Sequence, residues 1–363
     1  MFDKFFFKGI MNQMQNFLVQ DHETHVRFCG NEKIQPLTSI TRVLDSICLR
    51  DVLLEPSDLL FLGSRTKSLS LLNCRINATN YDVFLSTPAL KSLSIEDCTL
   101  LLQPPVCLYP AQEPVVSLQS VSIKKSDFVI TSNSFVYNIT IYNKTLTDFE
   151  RTLVSQTSGS VEIVDCENIP MIFNSSREVK LYFKNITTES NFEFPNATDV
   201  VIMARGKCSI SAPNAKNIET SADTTLTCVP NVRKVASYAS LSCGMNCNHI
   251  EEMIAKNSVP ISIPSNILSL TLLNCDDVKL SHLPRLSRLV LADVEIVDLE
   301  NLPKLEHFVI KQSYKRVVIN RIKNVGINVI VTSELTKCSV LEFDKNFSIV
   351  QSTNPLAVVV KTY

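Results

Sequence analysis

Apolar residues recur along this chain in short apolar-x-apolar segments of period two, the alternation of a strand with one buried face. The segments themselves repeat. Over 264–311, NILSLTLLNC, RLSRLVLADV and KLEHFVIKQS align without gaps, so that Leu270, Leu289 and Phe308 stand 19 residues apart. Leu272, Leu291 and Ile310 keep the same step two positions on. Towards the N-terminus the row reads SLSLL at 68–72, SLSIE at 92–96, SVSIK at 120–124, NITIY at 138–142, SVEIV at 160–164, EVKLY at 178–182 and DVVIM at 199–203. It continues through NIETS at 217–221 and KVASY at 234–238. Such a series predicts a solenoid, in which each unit buries its apolar face only against its neighbours.

Punctuation between the strands supports this organisation. Pro-x-[Ala/Leu/Val]-x-x-[apolar] occurs at Pro88, Pro195, Pro213, Pro230, Pro284 and Pro303, which predicts a turn ahead of each following strand. Between 238 and 269 the step doubles. Asn248 and Glu251 stand there at capping-box spacing, ahead of Ile250, Met253 and Ile254, and predict a short helix near 248–257. At the front, Phe6, Ile10, Met14 and Phe17 share one helical stripe, with Phe7, Met11 and Leu18 beside it. A stacked solenoid exposes its first coil, so a helical cap is expected there. The predicted division is 1–66, cap and first irregular repeat, and 67–363, the solenoid with its helical insertion.

The pattern L-x-x-L-x-L-x-x-[N/C]-x-[L/I], seen as LKSLSIEDCTL, KSLSLLNCRI and LSRLVLADVEI, resembles the leucine-rich repeat over 67–100 and 264–311, and loosely between. The resemblance implies an α/β repeat solenoid, a horseshoe with a parallel β-sheet on its concave face. Two features depart from the family: the step wanders from about 17 to 28 residues, and Asn is mostly replaced in the ladder slot. Over 139–240 a parallel β-helix accounts for the spacing as an alternative. Cys74, Cys98, Cys166 and Cys275 each follow a strand apolar by three residues, and the resemblance implies that this slot points inward and bonds the adjacent coil.

Composition narrows the chemistry. With 35 Lys plus Arg against 36 Asp plus Glu, the formal net charge of -1 implies no nucleic-acid partner. Lys311, Lys315, Arg316 and Arg321 form a local basic run that reads as a solvated face. Only 7 glycines occur, and no G-x-G-x-x-G or G-x-x-x-x-G-K-[ST] is present for cradling phosphate. There is no H-E-x-x-H and no G-x-S-x-G elbow. No catalytic, cofactor-binding or metal residues are therefore expected. Cys243-Gly244-Met245-Asn246-Cys247, with Cys228 and His249, is a weak match to a zinc site. Asp276, Asp277, Asp293, Glu295, Asp298 and Glu300 read as a solvated edge, although a β-helix carbohydrate-active enzyme is a third function class to weigh.

The 12 cysteines are spread without a dense framework, the N-terminus lacks a signal-like core, and no apolar run has the roughly 20 residues of a membrane span. A cytoplasmic, monomeric protein with reduced thiols is expected. Seven N-x-[ST] sequons, at Asn77, Asn138, Asn143, Asn174, Asn185, Asn196 and Asn346, keep a secreted or surface-displayed recognition protein as the alternative. On the outward side of the strand row, Tyr142, Tyr182, Met203 and Tyr238 fall in one column, and exposed Tyr and Met favour interfaces. The sequence thus predicts a non-enzymatic scaffold or adaptor that binds another protein through that stripe on its concave face.

Overall fold

The computed structural model describes residues 20–22, 25–29, 43–77, 89–101, 117–124, 135–184, 190–244, 247–257, 263–275, 277–320, 328–332, 341–343, 349–352 and 360–362. Residues 1–19, where the cap helix is expected, lie outside them. The chain packs as two compact units, residues 1–176 and 177–363, and each is a parallel β-solenoid.

In the first unit, strands His25–Cys29, Leu44–Arg50, Thr66–Leu72, Ser92–Glu96, Ser117–Lys124, Phe135–Tyr142 and Ser160–Val164 stack in parallel. The wall runs through the expected boundary at 66/67, because Leu44–Arg50 pairs in register with Thr66–Leu72. Ile47, Leu69, Leu93, Val121, Ile139 and Val161 form one buried column, and Leu49, Leu71, Ile95, Ile123, Ile141 and Ile163 form the second. Each such side chain contributes about 1.5–3 kcal/mol on burial. A one-residue slip would turn both columns to solvent, so the apolar pairs fix the register.

The second unit repeats the arrangement with Glu178–Tyr182, Asp199–Met203, Asn217–Thr220, Lys234–Ser237, Glu252–Lys256, Ser269–Leu273, Arg288–Glu300 and His307–Asn320. Its first buried column is Val179, Val200, Ile218, Val235, Met253, Leu270, Leu289 and Phe308. Every strand of the traced row is therefore a wall strand.

The segment expected to be a helix near 248–257 is instead the strand Glu252–Lys256. Val235, Met253 and Leu270 lie in register at steps of 18 and 17, so one coil fills the gap and the step never doubles. Period two overrides the helical reading: Met253 and Ala255 are buried, and Ile254 between them is half-buried. Asn248 is no cap. It lies in the turn Cys247–Ile250, closed by Ile250 N–H donating to Cys247 O at 3.3 Å, and Glu251 N–H already donates to Arg233 O of the preceding coil.

The return segments also differ from the horseshoe with helices that the family resemblance implies. In the second unit they are strands, and Ser190–Glu193, Lys207–Ser211, Asp223–Cys228 and Leu241–Cys243 form a second parallel sheet. The β-helix alternative thus holds for that stretch. Length gives the reason, since coils of 17–19 residues leave too little chain after the wall strand and turn to wind a helix. Where the step reaches 22, as between Ile47 and Leu69 and between Ile139 and Val161, a helix does fit. These helices are α1, Pro56–Arg65, and α2, Asp148–Gln156. Both open on a capping box, Glu55 with Asp58 in α1 and Thr147 with Glu150 in α2, where Glu150 N–H donates to Thr147 Oγ1 and Thr147 N–H donates back to Glu150 Oε2 at 2.8 Å.

The coils turn at two kinds of corner. The proline motif builds one. In Ala212–Ala215, Val229–Val232, Leu283–Leu286 and Leu302–Leu305 the last N–H donates to the first carbonyl, with proline second, where its fixed φ suits the turn. Asn214 and Asn231 reach back to the carbonyls of Pro195 and Pro213 at 2.7 Å, tying turn to turn. The other corner follows the wall strand, where Asp51, Asn73, Asp97, Asn143, Asp165, Asn257, Asn274 and Asp293 all adopt φ of 48–68°. Their short polar side chains tolerate this left-handed conformation. Asn274 Nδ2 donates to Asn257 Oδ1 at 2.7 Å, one coil back.

Two substitutions test these constraints. Asn274→Val puts a β-branched residue at φ 52° and is expected to cost about 1–3 kcal/mol in urea unfolding, with Asn274→Gly milder. Gly159→Ala would set a Cβ at 2.3 Å from Tyr137 O of the preceding coil and should destabilise the first unit, read as a lower urea midpoint. Unchanged midpoints in both would contradict the corner and the close approach described.

Candidate binding face

Alternation along each wall strand sends every second side chain outward, and all four stripe residues named from the sequence lie on that side, half-buried. Tyr142 belongs to the first unit. It stands in register with Lys124 and Val164, and its hydroxyl reaches Glu162 Oε1 at 3.4 Å. Lys124 is ion-paired to Glu96. Beside it a small, polar column stacks Ser70, Ser94, Ser122 and Thr140.

The other three residues belong to the second unit. Tyr182 and Met203 are register partners on adjacent strands. Ser221 follows Met203 in the column, and Tyr238 stands one coil further on, its N–H donating to Thr220 O at 2.8 Å. The Tyr238 hydroxyl donates to Glu219 Oε1 at 2.9 Å. That bond, with burial and the nearby carboxylate charge adding to it, holds the Tyr238 phenol above its ordinary 10.0.

A cleft of about 550 Å³ opens beside Met203, lined by Phe183, Lys184, Met203, Ala204, Arg205 and Ser221. Nothing in the sequence pattern marked Lys184 or Arg205. The signal that could have done so is an omission: Asn or Asp follows this column in most coils, but Phe183, Ala204 and Ala222 stand in that place here. One hydroxyl then serves the corner, with Ala204 N–H donating to Ser221 Oγ at 2.9 Å and Ser221 Oγ donating to Ala204 O at 3.0 Å.

The four slot cysteines point inward and are buried. Cys74 Sγ contacts Leu49 O at 3.6 Å and Cys166 Sγ contacts Ile141 O at 3.5 Å, each one coil back, while Cys98 and Cys275 bond Glu96 O and Leu273 O. The hydrogen bond with Cys74, and then burial, push the Cys98 thiol up. Burial pushes Cys166 up to about 11 and raises Cys208 as well. Among the described residues no group of three or more His, Cys, Asp or Glu is placed to hold a metal ion, and no helix is long and apolar enough to cross a membrane. Of the sequons, Asn138 is committed internally, its Oδ1 accepting from both N–H and Oγ of Ser160 at 2.9 Å, and Asn185 and Asn346 lie outside the described residues. So does Arg321 of the basic run.

Two titrations check this electrostatics. Glu219→Gln should bring the Tyr238 phenol down towards its ordinary 10.0, read from phenolate absorbance, and a pH curve that does not move would remove the Tyr238–Glu219 bond. For Cys166 the folded value lies above the ordinary 9.0, so its contribution to stability is whole below pH 9.0 and is lost as pH rises through about 11. At neutral pH only about one Cys166 thiol in 10⁴ is ionised, and alkylation mapping should find it unmodified until the protein unfolds. No family model, curated protein or solved structure matches this chain.

Proposed function

We propose that this chain is a non-enzymatic scaffold that binds another protein through the outward face of its parallel walls. The observation that carries the proposal is the placement of Tyr182, Met203 and Tyr238 on that face in the second unit, with the Tyr238 hydroxyl fixed by Glu219. A half-buried aromatic held in place loses little rotamer freedom on binding, which is why Tyr is favoured where one surface must grip another. Tyr142, held similarly against Glu162, extends the reading to the first unit. The motif kinship to leucine-rich repeats belongs to the same proposal, restricted to the wall strands. Use of Cys74, Cys98, Cys166 and Cys275 as buried thiols bonded to carbonyls fits a reducing compartment, and so favours the cytoplasmic reading over the secreted one.

Affinity purification from the native cell, with the Tyr142→Ala/Tyr182→Ala double variant as control, tests the proposal. The wild type should retain a defined partner that the double variant loses, at an unchanged urea midpoint. Equal capture by both proteins would refute the stripe, and finding the native cysteines oxidised would refute the compartment.

A further inference from the structure

We infer that the cleft beside Met203 is a docking site for an acidic, extended segment of a partner protein, an inference that rests on the scaffold reading and names the partner's chemistry. The cleft sets charge beside apolar surface. Arg205 and Lys184 are exposed on its rim, and neither has an ion-pair partner among the described residues. Phe183, Met203 and Ala204 supply the apolar lining.

Two cations of the adjoining wall strands are engaged elsewhere. Lys180, on the same strand as Tyr182, is bound to Glu178 at 2.9 Å, and Lys234 pairs with Glu252 at 3.6 Å. Among the described residues no carboxylate lines the cleft. A guanidinium presents a fork of donors that fits a carboxylate, and an ammonium beside it adds a second positive charge.

Both the corner and the adjoining face narrow the choice of partner. The left-handed Asn/Asp corner is missing where the cleft opens, and Ser221 takes over the backbone bonds that a neighbouring coil would otherwise make. That substitution frees the corner side chains from structural duty and leaves Lys184 and Arg205 facing solvent. Tyr182, Met203, Ser221 and Tyr238 occupy four successive coils, which at about 4.8 Å per coil span roughly 14 Å. An extended segment of about five or six residues covers that length. The acidic groups of the segment belong at the cleft, because Glu178, Asp199 and Glu219 stand on the same outward face beyond its lining and would repel carboxylates or phosphates placed there. A nucleic acid, charged at every residue, therefore fits worse than a peptide whose acids alternate with apolar side chains.

The inference can be tested by fluorescence anisotropy on the full chain, with a labelled alternating Leu-Glu peptide of about six residues and its Leu-Gln isostere. The acidic peptide should bind, the isostere at least about tenfold more weakly, and Lys184→Glu/Arg205→Glu should abolish binding. Lys216→Glu, an equal charge change at the other end of the wall strands, should have little effect. If charge reversal disturbs the circular dichroism spectrum, Arg205→Gln provides the readout with less perturbation. Equal binding of both peptides, an equal effect of Lys216→Glu, tighter binding of single-stranded RNA, or competition by acetate or phosphate at matched charge would each overturn the acidic-segment site. Loss of the peptide on Tyr182→Ala but not on Arg205→Glu would overturn the cleft and leave the scaffold reading standing. The reverse pattern would uphold the cleft and count against the tyrosine stripe.

Discussion

The parallel backbone ladder between successive coils is the constraint on which the rest of this structure depends. Each wall strand can satisfy its N–H and C=O groups only through the coils on either side, and an unpaired buried group costs as much as a lost hydrogen bond. The ladder continues past the strand ends: Asn73 N–H donates to Glu96 O, Asn143 N–H to Val164 O and Asn274 N–H to Ala292 O. Equivalent residues are therefore forced to stack. Inward columns of Ile, Leu and Val, the cysteine slot and the outward stripe are all consequences of that stacking, seen on different sides of the same strand.

Stacking fixes what a coil shares with its neighbours, and coil length decides what it may keep for itself. At the proline turn the 18-residue coil ending at Ile218 buries Ala212 and Ala215, the 17-residue coil after it buries Val229 and Val232, and the later 19-residue coils bury Leu283, Leu286, Leu302 and Leu305. Extra length in the first unit is absorbed by α1 and α2 without disturbing the walls on either side.

The wall strands, the proline turns and the inward cysteines were legible in the sequence because each repeats at a fixed offset from the apolar pair. What was not legible depends on single coils. Asn248 and Glu251 imitate a helix start, and only the partner coil, which takes up Glu251 N–H, reveals an extended chain. Thr147-Asp148-Phe149-Glu150 carries the same signature and does cap a helix, so the motif alone could not separate the two. Return strands such as Lys207–Ser211 carry Ser and Lys outward and a single Cys-x-Ile pair inward, too little alternation to distinguish from a loop. The Asn/Asp corner was visible as Asn-Cys or Asp-Cys at 73–74, 97–98, 165–166 and 274–275, but the cysteine drew the attention that the residue before it deserved on grounds of backbone conformation.

That corner also bears on where a partner can be held. A position that must adopt a left-handed φ and ladder its side chain to the next coil has few identities open to it, and Asn or Asp fills it in eight of the described coils. Where the second unit drops the requirement, at Phe183, Ala204 and Ala222, the side chains around the corner become free to vary without loss of the fold. The cations Lys184 and Arg205 occur there and nowhere contribute a described bond to the solenoid. Residues to which the fold gives no described bond, set against a column of tyrosine and methionine that the fold turns outward, are what the proposed docking site rests on.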